Sequence, residues 1–324
     1  MVSRKSVAFA VAGIIAIGVL GALALKGGDR DATVLKVANQ KGQVRAMMLA
    51  SGALDGAPYT VEWSEFPAAQ PLLEAVGSGA ADLGLAADAP FIFAYQSGSP
   101  IKAIAVQAPA NQAPEALAVL VPQGSSIRSV DDLVGKSVAT TRGSIGHHLL
   151  LQALERAHIA ASKVRVTFLP PGDAKPAFDS KAVDAWSTWT PYTNVAIKEG
   201  ARAVVDAKDY GLPLYIDIAH EPSIAPKRAL LKDFLQREAK AVAWSRAHPD
   251  DFAKVLAKET GLPLDIARAS FDRNNRISAP IDDAMVRHEQ IISDRFKAAG
   301  LIEAKRPVAE AFDASLTSGA PVKP

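Results

Sequence analysis

The chain contains no cysteine. That excludes disulfides, a thiolate nucleophile, a cysteine–metal centre and anchoring through a lipid-modified cysteine. Charge of one sign is also missing: 36 Lys and Arg stand against 34 Asp and Glu, a formal net charge of +2. With no long basic run to follow a phosphate backbone, nucleic acid is not an expected partner. Several signatures are absent too. There is no Gly-x-x-x-x-Gly-Lys-Ser/Thr phosphate loop, Gly-x-Gly-x-x-Gly dinucleotide turn, Gly-x-Ser-x-Gly elbow or His-Glu-x-x-His zinc pair. No internal repeat or low-complexity segment occurs.

What is present fits globular material. The 324 residues are 49% hydrophobic, enough for a large core that needs no disulfide, and the length suggests two domains. Arg4-Lys5 precedes an uncharged run from Ser6 to Leu25, and a polar stretch follows. This is the pattern of an export signal, with Ala22-Leu23-Ala24 as a cleavage site. The run is also long enough to span a bilayer. Residues 1–31 are therefore expected to be a signal peptide or an uncleaved anchor, and the rest to be exported either way.

Between Thr33 and Ala219, strand-like and helix-like stretches alternate, which predicts an α/β fold with mostly parallel sheets and flanking helices. Tyr215–Ala219 reads as a strand returning to the first half. From Ala229 on, apolar stripes at helical spacing predict a helical C-terminal region with no strand. In parallel sheets ligands bind beyond the carboxyl ends of strands. Four polar strand-to-helix turns belong there: Asn39–Gln43, Ser64–Pro67, Ala87–Pro90 and Arg142–His147.

The last of these is the most informative. Lys136–Thr140 reads as a strand, and Leu149, Leu150, Ala153, Leu154 and Ala157 as the buried stripe of a helix. Ser144 stands at the N-cap, and Gly143 and Gly146 let backbone N–H groups approach a guest. A helix start of this kind is an anion site in waiting, though Gly-Ser before a helix is also an ordinary connection.

Several motifs resemble those of one family. They are Asn-Gln-Lys-Gly at 39–42, Trp-Ser-Glu-Phe-Pro-Ala at 63–68 and Asp-Leu-Gly-Leu-Ala-Ala-Asp-Ala-Pro at 82–90. Val-Asp-Asp-Leu-Val-Gly-Lys at 130–136, Arg-Gly-Ser-Ile-Gly-His at 142–147 and Val-Asp-Ala-Trp-Ser-Thr-Trp-Thr-Pro-Tyr at 183–192 continue the series in order. They are similar to the aliphatic sulfonate-binding proteins of ABC importers, in the nitrate/sulfonate/taurine group. The resemblance implies a two-lobed periplasmic binding protein of type II, a Venus flytrap, with lobe 1 at 32–118 and 215–324 and lobe 2 at 119–214. It implies a monomer that delivers a small anionic solute to an ABC permease, without cofactor, metal or catalysis.

Carried over, the ligand-binding residues are Gln40, Lys41, Gly42, Gln43, Phe66, Pro67, Asp88, Ala89 and Pro90, with Arg142, Gly143, Ser144, His147, Trp186 and Trp189. Bland readings stand beside these. Arg142 and Lys41 can be solvated, Asp88 can be a helix cap, His147 a structural partner, and the tryptophans core. His147 and His148 are adjacent on a helix and diverge, so they do not make a metal pair. Asn39, Arg142 and the Ser-Thr between the tryptophans depart from the family's pattern and leave the solute open. An enzyme resembling those of thiamine-pyrimidine synthesis would carry an iron- and histidine-bearing motif that is missing; a membrane-anchored sensory module requires the first 25 residues to stay attached.

Overall fold

The computed structural model describes residues 33–111, 113–273 and 275–317, so the export segment lies outside the described residues. Among the described residues no helix is long and apolar enough to cross a membrane. The first half runs β1 (Val34–Gln40), α1 (Gln43–Ala50), β2 (Thr60–Phe66), α2 (Ala69–Gly77), β3 (Leu83–Ala87), α3 (Asp88–Gln96) and β4 (Ile101–Pro109). A second unit follows as β5 (Leu117–Val121), β6 (Ser137–Thr140), α4 (Ile145–Arg156), β7 (Arg165–Phe168), α5 (Pro171–Asp179), β8 (Ala185–Trp189), α6 (Tyr192–Lys198) and β9 (Arg202–Asp206). The chain then returns through β10 (Tyr215–His220), α7 (Glu221–Ile224), α8 (Arg228–Ala247), α9 (Pro249–Thr260), α10 (Leu264–Arg273), β11 (Arg276–Ala279) and α11 (Asp283–Ala298).

Two sheets result, in the orders β11-β4-β10-β3-β1-β2 and β7-β6-β8-β5-β9. Burial follows position. The central strands β3, β5 and β8 are buried at every residue, whereas the edge strands β2 and β7 have no buried residue. In β1, Leu35 and Val37 face one core layer with α1, α8 and α9, while Ala38 faces the layer holding α2 and α3. Phe91, Phe234 and Phe296 are among the largest fully buried side chains. Each contributes roughly 1.5–3 kcal/mol relative to exposure.

Three expectations need correction. The sheets are mixed, not mostly parallel: only β1–β2, β1–β3, β6–β7 and β6–β8 pair in parallel. The returning strand β10 runs antiparallel between β3 and β4. The C-terminal region is also not purely helical, because β11 adds an antiparallel edge to β4. Four residues between a helix and Pro280 are too few for alternation to show. Finally, a boundary at 118/119 falls inside β5, so the first crossing between sheets lies earlier, between Pro109 and Leu117. The second crossing runs from Asp206 to Tyr215.

Candidate functional site

The carboxyl ends of β1, β3, β6 and β8 open on one cleft between the two sheets. One wall carries Gln40 at the end of β1, Gln43 at the start of α1, Pro90 in α3 and Tyr215 at the start of β10. The other carries Ser144 and Ile145 at the start of α4, with Trp189 at the end of β8 and Thr190 just after it. The halves touch at the rim. Gln70 Nε2 donates to the Arg142 carbonyl at 3.2 Å, and the Tyr192 hydroxyl donates to the Pro67 carbonyl at 3.0 Å.

The turn before α4 is built as an anion seat. Ser144 caps the helix, its Oγ accepting from His147 N at 3.1 Å. Gly143 and Ser144 do not offer their own amides. Gly143 N donates to His147 Nδ1 at 3.2 Å and Ser144 N to the Thr141 carbonyl at 3.1 Å. The N–H groups of Ile145 and Gly146, the first two helical positions, have no carbonyl one turn back within the helix, and of these two residues Ile145 lines the cleft. Thr140 gives its hydroxyl hydrogen to the Ser187 carbonyl at 3.0 Å. In its 3.4 Å contact with Ser144 Oγ it can then only accept, so the Ser144 hydrogen is directed to Thr140 Oγ1 and a guest must draw it out of that long contact. Ser187 in turn donates to the Gly146 carbonyl at 2.6 Å, so the polar Ser between the tryptophans pins the helix start.

Of the fifteen expected ligand residues, Gln40, Gln43, Pro90, Ser144 and Trp189 line this cleft. The others do different work. Trp186 is a correction: it is 1% exposed and packs beneath Phe178 and Tyr192, on the far side of the sheet. Three residues apart on a strand, Trp186 and Trp189 must point to opposite faces. Asp88 is another. Its Oδ2 accepts from Leu214 N at 2.7 Å and its Oδ1 from Ala89 N at 2.6 Å, tying the start of α3 to the second crossing.

Lys41 lies over the Tyr192 ring at 5.5 Å, and the exposed Arg142 over Phe168 at 5.4 Å. Gly42, with φ 71°, is the N-cap of α1 and donates to Glu65. Ala89 is buried in the core, and Phe66 and Pro67 lie at the rim, Phe66 half-buried and Pro67 exposed. Gly143 packs against the Phe93 ring, and His147 is buried behind the turn. Asn39, part of the first turn, is a cap: its Oδ1 accepts from Val44 N while its Nδ2 donates to Glu65.

Sequence reasoning missed Tyr215, Gln70, Thr190 and, behind them, Arg276. The Arg276 guanidinium lies 4.6 Å from the centroid of the Tyr215 ring, buried, with Nη1 lacking a hydrogen-bond partner. A cation stacked behind a cleft wall biases the cleft toward anions. No local motif marks it, because it reaches the site from β11 at the opposite end of the chain.

Comparison with known proteins places this geometry. Residues 61–252 match the NMT1/THI5-like family. An aliphatic sulfonates-binding protein of Escherichia coli (strain K12) is 30% identical over 307 residues, 93% of this chain and 94% of the relative. The chain belongs to the NMT1/THI5-like family. Among solved structures, the periplasmic aliphatic sulphonate binding protein of Escherichia coli superposes with a TM-score of 0.76 at 30% identity, covering 86% of this chain and 91% of that one. The alkanesulfonate-binding protein of Xanthomonas axonopodis pv. citri bound to MOPS gives 0.79 at 26% identity, covering 87% and 98%. Like these family relatives, the chain is a periplasmic substrate-binding protein and not an enzyme, with the two-lobed fold expected of it.

Within this family member the histidines behind the seat are held neutral. Burial pushes His147 down to about 4, and the nearby Arg142 charge acts in the same direction. Burial likewise takes His148 to about 4. Nδ1 of His147 accepts a hydrogen bond, so the proton of the neutral ring is on Nε2. Unfolded, both rings take up protons below an ordinary pKa of 6.5. The unfolded chain thus binds more protons, and stability is lost as pH falls from about 6.5 toward 4. The melting temperature is expected to drop across that window, with a shallower slope in His147→Gln; an unchanged slope would show that His147 does not titrate there.

Proposed function

We propose that the cleft captures a small organosulfonate and that the chain delivers it to the permease of an ABC importer. The observation that carries this is the start of α4 in the cleft wall: Ser144 with the amides of Ile145 and Gly146, opposite the neutral donors Gln40 and Gln43. Three sulfonate oxygens match several neutral donors better than one ammonium, and the helix dipole favours their charge. The organic tail lies against Trp189, Tyr215, Leu85 and Pro90. An aliphatic sulfonates-binding relative and a MOPS molecule bound to an alkanesulfonate-binding one agree with such a head and tail.

No carboxylate is among the described residues that line the cleft. A tail ammonium, as in taurine, would find no counter-charge, so alkanesulfonates with uncharged tails are the preferred class. The lobes close about the two crossings, the chain acts as a monomer, and residues 1–31 are removed as its export signal; the mass of the mature protein reports whether they instead remain as a tether.

Titration with butanesulfonate is expected to change indole fluorescence, and with taurine to do so only at much higher concentration. Trp189→Phe should lose that signal while Trp186→Phe keeps it. If no sulfonate alters either fluorescence or melting temperature, the assignment of substrate falls.

A further inference from the structure

We propose that Asp88, His288 and Glu289 form a binding site for one divalent transition-metal ion, between the start of α3 and the first turns of α11. This lies outside the ligand cleft and uses none of its lining residues. The sequence offered no metal site because the only histidine pair in view, His147-His148, diverges along its helix. His288 and Asp88 are 200 residues apart and meet only in the fold.

The three side chains each offer one ligand atom, and these atoms lie within 4.8 Å of one another. His288 Nε2 is 3.5 Å from Asp88 Oδ2. Ligands at about 2.0–2.2 Å from a tetrahedral ion are separated by roughly that much, so small side-chain movements complete the set. The second observation is Glu289 itself. It is fully buried, and neither carboxylate oxygen has a hydrogen-bond partner. Beside it stands Asp88, 2% exposed, whose amide donors use only part of its acceptor capacity. Two buried carboxyls turned toward one point with no donor between them are costly unless a proton or a cation joins them.

Nitrogen plus two carboxylate oxygens suits zinc and similar ions, and the half-exposed His288 leaves a water position open. The neighbouring charges are otherwise engaged. On α11, Arg295 binds Glu155 of α4 at 2.6 Å and contacts His148 Nε2 at 2.6 Å. An ion here would tie α11 to α3 and, through Asp88, to Leu214 in the second crossing. Without one, burial and the Asp88 charge push Glu289 well above the carboxylate range, while Asp88 holds His288 up.

The test is zinc titration of the mature chain after chelator treatment, read by calorimetry and melting temperature. One Zn²⁺ per chain with micromolar or tighter affinity is expected. Glu289→Gln, an isostere that removes the unpartnered buried acid, and His288→Ala, at a half-exposed position, should each weaken binding at least about tenfold. Both variants should keep sulfonate binding in metal-free buffer. Absence of stoichiometric zinc binding, or wild-type zinc affinity in both variants, would overturn the site.

Discussion

Replacing Ser144 with leucine is expected to lower sulfonate affinity by at least about 100-fold while the chain still folds. Three effects add at this residue. The hydroxyl is lost as a donor to a charged guest, worth about 1.5–3 kcal/mol, or roughly tenfold to 100-fold in affinity. The N-cap is lost, at about 1 kcal/mol of helix stability, which frays the amides of Ile145 and Gly146. The new isobutyl group then occupies the seat, since Ser144 is only 2% exposed and sits in the wall itself. Ser144→Ala separates these contributions. It removes hydroxyl and cap but adds no bulk, and a loss nearer tenfold is expected. Calorimetric titration with butanesulfonate reads both, with circular dichroism as the check on folding. Binding by Ser144→Leu within about threefold of wild type would place the head group elsewhere.

The seat was legible because it is local. A strand, two glycines and a capping serine are contiguous, and their geometry follows from backbone rules. Even so, only the fold shows that Gly143 N is taken by His147 and that Ile145, beside Ser144, lines the cleft. Trp186 was ambiguous in the sequence, and it is the formation of β8 over Ala185–Trp189 that makes the three-residue spacing separate it from Trp189. Asp88 was ambiguous in principle. A carboxylate opening a helix serves a cap, a hinge tie or a ligand equally well until its partner Leu214, over a hundred residues away, is in place. The same holds for sheet direction. The βα alternation after Thr33 is real, but β10 enters between β3 and β4 from the opposite direction. No periodicity encodes a strand's orientation. Tyr215 and Arg276 reach the cleft only through that insertion and the edge strand beside β4.

Arg276→Met is expected to cost on the order of 3 kcal/mol of stability at pH 8 and to weaken sulfonate binding about tenfold. Behind Tyr215 the guanidinium faces a buried carboxyl pair, Asp217 and Glu238, both within reach of Gln107 Nε2 at 3.1 and 3.3 Å. Burial pushes Asp217 well above the carboxylate range, and Glu238 beside it adds to the rise; burial raises Glu238 too, with Arg276 opposing both. One proton between two carboxyls leaves a single negative charge for Arg276 to balance. Without the arginine that charge has no partner, and the pair holds both protons to higher pH. Folded-state pKa values above the unfolded ones give stability that is present at low pH and lost as pH rises through the folded values. The deficit of Arg276→Met should therefore widen from pH 5 to pH 8. Adding Asp217→Asn together with Glu238→Gln removes the stranded charge and should recover most of the stability at pH 8 but none of the sulfonate affinity, because the cation behind the cleft is still missing. A pH-independent deficit, or affinity restored together with stability, would show that Arg276 serves packing alone.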